Sequence, residues 1–182
     1  MENTTLLQKK MLVNELRNMY WAEKYFLRIL PKLERAAGTR YLKACFKGHL
    51  SATREHVSRL DEIFKLLNDN AKGKKWDELS SVIAQTMHVI NSTTKNTLLR
   101  DVSLIEAARL MESYEIGQYE KLIKASEDLG EFKVATLLEE TLYEEKEAQE
   151  TFVAVKKDTL NDEYFKVSVE EEFDEFEAAE EE

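Results

Sequence analysis

Leu104-Ile105-Glu106-Ala107-Ala108-Arg109-Leu110-Met111-Glu112-Ser113-Tyr114-Glu115-Ile116-Gly117-Gln118-Tyr119 is the stretch from which the rest of the chain can be read. Its spacing predicts a helix. Ile105, Ala108, Glu112, Glu115, Tyr119 and Leu122 recur at three- and four-residue steps, which stacks them on one face. Two carboxylates therefore lie in the stripe that should be apolar. A charged carboxylate is costly to bury unless a partner or a metal ion satisfies it. Two readings fit this segment alone: both glutamates face inward, or the register slips by one position and both sit wet at the edge of the stripe.

Working outward, three more long helices are predicted. The first covers about Thr5 to Ala36, with Leu12, Leu16, Met19, Phe26 or Leu27, and Leu30 on its buried face and Glu23 as the only charge there. Pro31 should kink it late. Gly38 suits a C-cap and Thr39 an N-cap. The second covers about Arg40 to Leu67, on a stripe that includes Leu42, Leu60 and Leu67 and is interrupted by His49, Thr53 and His56. Some thirty residues follow, with a short helix expected from Asp77 to about Ile90 and Trp76 as an anchor. Asp101 or Ser103 should cap the helix of the opening stretch, which runs to about Asp128. After a tight turn at Leu129-Gly130, the last helix runs from about Glu131 to Lys157, with Leu138, Glu145, Ala148 and Phe152 inward. One long connection flanked by two short ones marks a four-helix bundle with a single crossover, and the ferritin-like arrangement is the common case. The expected fold is thus all-α: a ferritin-like bundle over residues 1–160, with a short extra helix in its crossover. Residues 161–182, nearly all acid with two phenylalanines, read as a disordered tail.

The hairpins allow a geometric test. Glu23 and His56 each stand about sixteen residues from the turn at Gly38–Arg40, and Glu112 and Glu145 about sixteen from the turn at Asp128–Leu129. At 1.5 Å per residue each group lies roughly 25 Å from its turn, close to the middle of helices roughly 45 Å long. Hairpins that enter from opposite ends bring these levels together. Four polar groups, one per helix, then converge at one depth, which favours the inward reading. Glu115, one turn from Glu112, is a fifth candidate. Thr53 and Leu142 stand three residues before His56 and Glu145, where a dinuclear carboxylate site would place glutamates. The expected site, Glu23, His56, Glu112, Glu115 and Glu145, is therefore mononuclear, or dinuclear with reshaped ligands using Glu115 and Glu144. Oxygen ligands with an imidazole suit iron or manganese, one or two ions, with zinc a further option. His49 stands two turns from His56, roughly 10 Å along the axis. It is expected to share no coordination shell with it and to have a local partner.

Composition narrows the function. One proline and five glycines suit a helical chain. No apolar run approaches a membrane span, and Met1 to Thr5 lacks the basic and apolar regions of a signal peptide. The lone Cys45 excludes an intrachain disulfide framework and fits a reducing cytoplasm. With a net charge of -10 and a pI near 5.0, nucleic acid is a poor partner. The chain has no cysteine cluster to deliver electrons, so redox turnover would need an external reductant.

Met19-Tyr20-Trp21-Ala22-Glu23-Lys24, Leu30-Pro31-Lys32-Leu33, His49-Leu50, Thr53 through His56-Val57, Arg59-Leu60, Met111-Glu112, Tyr114-Glu115-Ile116 and Glu144-Glu145-Lys146 together resemble the ferritin-like stress proteins of the YciE/YciF type. The resemblance covers the four helices and not the tail. It implies a ferritin-like bundle, a homodimer, a role in stress responses and metal binding, with no established reaction. Ser51 and Ala52 stand where the family has acids, and Gln149 where it tends to have aspartate. Two functions are in view: a metal-binding protein that handles iron or peroxide, or a metal-free structural bundle whose cluster is a hydrogen-bonded polar core.

Overall fold

The computed structural model describes residues 2 to 161 as five helices. They are α1 (Glu2–Ala36), α2 (Arg40–Leu66), α3 (Asp77–Ser92), α4 (Leu98–Asp128) and α5 (Phe132–Asn161). The helices α1, α2, α5 and α4 form a square in that order, each packed on its two neighbours, and α3 lies against α4. The expected acidic tail lies outside the described residues.

Two apolar half-cores set the helix directions. One joins Phe26, Ile29 and Leu33 of late α1 to Leu42 and Phe46 of early α2, Leu104 and Ile105 of early α4, and Phe152 of late α5. The other joins Leu12 and Leu16 of early α1 to Leu60 and Ile63 of late α2, Leu122 of late α4, and Val134 and Leu138 of early α5. Neighbouring helices are thus antiparallel, while α2 and α4 run the same way, as the crossover between them requires. Leu16, Met19, Phe26, Phe46 and Leu60 are buried, each worth about 1.5–3 kcal/mol relative to an exposed position.

The turns explain local choices in the sequence. Helix α1 is continuous through Pro31. Thr39 caps α2, its hydroxyl accepting from the Leu42 N–H at 3.3 Å. Gly38 does not take the left-handed C-cap conformation. It is glycine because a Cβ would come within 3.2 Å of the Asn96 Cα and 3.3 Å of an Asp101 oxygen. Asp101 is not the cap of α4. Thr97 caps it, accepting from the Arg100 N–H. Asp101 instead lies buried one turn in, where its carboxylate accepts from the Gly38 N–H at 2.7 Å and the Thr39 N–H at 2.8 Å. It thereby ties the first hairpin to the start of α4. At the second turn Gly130, with φ +73°, supplies the left-handed residue, and the Glu131 N–H closes on the Ser126 carbonyl at 2.8 Å.

The crossover is fastened at both ends. Trp76 packs across both half-cores and meets Tyr114 edge-to-face at 6.1 Å. The buried Arg100 donates to the Ile90 carbonyl at 2.6 Å and to Thr93 Oγ1 at 2.9 Å.

Candidate metal centre

Between the two half-cores lies a polar layer. Glu23 of α1, His49, Thr53 and His56 of α2, Glu112 and Glu115 of α4, and Glu145 of α5 are all buried there, none more than 6 % exposed. The inward reading of the opening stretch is the one realised: Glu112 and Glu115 are 2 % and 1 % exposed. Of the five expected residues, Glu23, His56, Glu112 and Glu145 contribute ligand-type atoms to groupings in this layer, and Glu115 is buried beside them.

Within the layer, ligand-type atoms converge in two triads, Glu23–His56–Glu145 and His49–Glu112–Glu145, each within 4.8 Å. Glu145 belongs to both. In the first, His56 Nδ1 is 3.4 Å from Glu23 Oε1 and 3.0 Å from Glu145 Oε1. In the second, His49 Nε2 is 3.3 Å from Glu112 Oε1 and 4.0 Å from Glu145 Oε2. The two Glu145 oxygens thus face different histidines. Glu115 belongs to neither triad, and both its oxygens are buried without a hydrogen-bond partner.

His49 corrects the expectation of a local partner. Backbone rise separates the two α2 histidines by two turns, but their rings approach to 6.4 Å between centroids. His49 meets carboxylates from α4 and α5. Its place on the stripe of His56 was visible in the sequence; backbone rise alone said nothing of where the imidazoles reach. Thr53 adds no charge to the layer, and its hydroxyl donates to the His49 carbonyl at 2.9 Å.

Glu144 holds the outer side of His56. Its Oε2 is 2.9 Å from His56 Nε2, and Arg59 grips the same carboxylate at 2.6 and 2.8 Å. Arg59 holds the Glu144 carboxyl below its usual range, so Glu144 is an anion that accepts the Nε2 proton. That leaves Nδ1 as the inward-facing atom. A carboxylate on the far side of an imidazole is the usual means of fixing a ligand histidine's tautomer. Tyr119 donates to Glu23 Oε1 at 2.6 Å. Burial and then the Glu23 charge push its hydroxyl well up, so it stays a donor.

The charge state follows from burial. Burial, then the neighbouring Glu145, pushes the Glu112 carboxyl well above its usual range, and burial does the same to Glu115. Burial opposes ionisation of Glu145 too, but the adjacent His56 holds it at about 2. Burial would depress His56, but the Glu23 and Glu145 charges raise it to about 11. Burial keeps His49 neutral. Without a cation the layer is therefore a buried imidazolium–carboxylate group flanked by two protonated acids.

The layer is poorly satisfied by its own hydrogen bonds. With its acids ionised and its rings neutral, the layer leaves Glu23 Oε2, Glu112 Oε2, both oxygens of Glu115, both of Glu145, His49 Nδ1 and His56 Nδ1 without a partner, and a proton on Glu112 is one it shares with Glu145. His56 Nδ1 is near Glu145 but out of line for a hydrogen bond. Buried polar groups are rarely left so. Acceptors outnumber donors, and in each triad the ligand-type atoms gather within 4.8 Å, so the residues present fit a bound cation. Gln149, at a position of departure from the resembled family, is turned outward to the Ser113 hydroxyl, and Ser51 is exposed.

Residues 8–164 match the family described as a domain of unknown function, DUF892. Protein YciF of Escherichia coli (strain K12) is 39% identical over 135 residues, 74% of this chain and 81% of that protein. The crystal structure of the E. coli stress protein YciF superposes with a TM-score of 0.80 at 35% identity, covering 85% of this chain and 97% of that one. YcfI from Rhodopseudomonas palustris, described as a suggested structural protein, gives 0.77 at 30% identity over 80% of this chain and 92% of that one. A protein from Xanthomonas campestris pv. campestris gives 0.66 at 19% identity over 84% of this chain and 93% of that one, a likeness of fold alone.

Proposed function

The chain belongs to the DUF892 family, and we propose that it is a ferritin-like stress protein that binds two iron or manganese ions at mid-bundle and acts as a homodimer. One observation carries the reading: two buried triads share Glu145, and eight of the surrounding polar atoms have no partner. Charge supports two ions rather than one. Glu23, Glu112, Glu115 and Glu145, all ionised, match two divalent cations, with both histidines neutral. Oxygen-rich ligation with one imidazole per ion suits iron or manganese better than a thiolate-loving metal. When bound, such ions supply electron transfer to a small oxidant.

The chain's own residues would hold and condition the site. Glu23, His56 and Glu145 would take one ion, His49, Glu112 and Glu145 the other, and Glu115 stands free to complete either. Glu144 keeps His56 Nδ1 unprotonated when an ion is bound. Tyr119 orients Glu23. The half-cores on either side exclude bulk water. The chain's one cysteine leaves it without a thiolate electron carrier, so any redox turnover would draw on an external reductant. Among the described residues no helix is long and apolar enough to cross a membrane.

A metal-free structural bundle is the second reading, favoured by the self-compensating charge of His56 and Glu145 and by the description given to YcfI. The two are separated by elemental mass spectrometry on untagged protein reconstituted anaerobically with ferrous iron, with sedimentation to read subunit number. Two ions per chain are expected, with loss of the ion at the altered triad in His56→Ala and in Glu112→Gln. No metal above background in folded wild-type protein would overturn the metal reading.

A further inference from the structure

Between α2 and α5, on the face of the bundle opposite α1 and α4, lies a groove of about 480 Å³. Its wall is made of small and apolar side chains, among them Ala44, Cys45, Gly48, Ala52 and Ala148. Its inner end touches His49, which is 6 % exposed. One imidazole therefore separates the groove from the Glu112 and Glu145 carboxylates.

The two histidines of the layer differ in their outer partners. His56 has the Glu144 carboxylate on its Nε2. His49 is placed to use Nε2 inward, and its Nδ1 is buried with no protein partner. A ligand histidine ordinarily satisfies its second ring nitrogen, and a buried ring N–H left bare is costly. The groove is the open space that abuts the same residue. Its only charged wall groups, Glu144 and Glu147, are acids, so it repels anions. Its apolar walls disfavour hydrated cations.

We propose that this groove binds small uncharged oxygen species, of the class of hydrogen peroxide and dioxygen, beside His49, and is their route to the mid-bundle cluster. The inference deepens the metal-binding reading and rests on it for the destination, though not for the groove itself. Gly48 is an exposed residue of the groove wall, and a Cβ there meets nothing within 4 Å, so a larger side chain can start into the groove at this point. Gly117 of α4 offers a matched control. It too has open space around it, and it lines the opposite groove, which touches no residue of the cluster.

The test compares Gly48→Leu with Gly117→Leu and wild type. Nitric oxide, an uncharged diatomic probe, is mixed in a stopped flow with protein loaded with ferrous iron, after metal content has been measured. Gly48→Leu is expected to keep its iron and bind nitric oxide at least tenfold more slowly, with Gly117→Leu unchanged. Equal rates in all three proteins, or a slowing confined to Gly117→Leu, would overturn the route. A second readout needs no metal: acylation of the histidines of metal-free protein by diethyl pyrocarbonate, located by peptide mass spectrometry. His49 is expected to react, more slowly than the exposed His88, and Gly48→Leu should suppress reaction at His49 alone. Should wild-type protein hold no iron, this readout still decides the groove. A His49 that stays unmodified while His88 reacts to completion, or one indifferent to Gly48→Leu, would refute it.

Discussion

Replacing Glu145 by Gln changes one atom at the only residue common to both triads, and its consequences can be worked in the metal-free and the metal-bound protein separately. In the metal-free protein, the His56 imidazolium faces Glu145 at 3.0 Å and Glu23 at 3.4 Å. Removing the sole partner of a buried charge costs about 3–5 kcal/mol. Here Glu23 and, on the outer side, Glu144 remain, so roughly half, about 2 kcal/mol, is expected. For a chain of this size that lowers Tm by roughly 4–8 °C in the presence of a chelator. The sign with pH is fixed by the shift. The Glu145 carboxyl is held down at about 2, so its contribution is full above the unfolded carboxyl range and fades as pH falls towards 2. The deficit of the variant should therefore shrink in acid. With metal, the loss is larger in kind: the amide cannot give both triads an anionic oxygen, so both ions should go. Circular dichroism melts with and without ferrous iron, beside elemental analysis, read both effects. Glu112→Gln is the contrast, since it touches one triad and removes an acid that is protonated without metal; its metal-free Tm should be unchanged or higher. A Glu145→Gln protein that retains one ion at wild-type affinity would refute the shared-ligand geometry.

Metal binding should expel protons. Glu112 and Glu115 are raised well above the usual carboxylate range and His56 to about 11, so all three carry protons at neutral pH and must lose them to become ligands. Calorimetric titration in two buffers of different ionisation enthalpy should show net release, and affinity should rise with pH; buffer-independent heats would count against the assignment. Asp101→Ala should strand the Gly38 and Thr39 N–H groups, lowering stability by about 2–4 kcal/mol, while metal content per folded chain stays as in wild type. Denaturant unfolding measures the first, and an unchanged midpoint would show that the turn is held by other contacts.

The helices were legible because their stripes repeat over seven or more turns, and a signal of that length survives a few polar interruptions. Their ends were less so. Asp101 has the residue type and position of an N-cap, and nothing local distinguishes it from Thr97. What decides is the hairpin turn sixty residues away, which offers two N–H groups and leaves no room for a side chain at Gly38. Gly38 likewise reads as a cap glycine, though it is glycine for close approach. At the polar layer, the depth of Glu23, His56, Glu112 and Glu145 follows from counting residues along straight helices, and counting suffices for groups that lie level. It fails for His49 because the distance that matters is between ring atoms, and two imidazoles can close a gap that the backbone keeps open. Glu144 was legible as a candidate but not in its role, which depends on Arg59 one turn after His56 and thus on how two helices pair.

The arrangement of the core says why so poorly satisfied a layer can persist. Buried atoms without partners are each unfavourable, and here they are gathered at a single level instead of being spread along the bundle. On one side the chain packs Phe26, Phe46, Leu104 and Phe152, and on the other Leu16, Leu60, Tyr119 and Leu138, all buried. Each half-core spans all four long helices, so each fixes the spacing of the bundle on its own side of the layer. The carboxylates and imidazoles between them are then held at separations set by distant packing rather than by their own attraction. A cluster clamped from both ends keeps two triads of ligand-type atoms gathered within 4.8 Å. The same clamping implies that ligand changes such as Glu112→Gln leave the helices in place, and that is what allows their effect on metal content to be read as chemistry at the site.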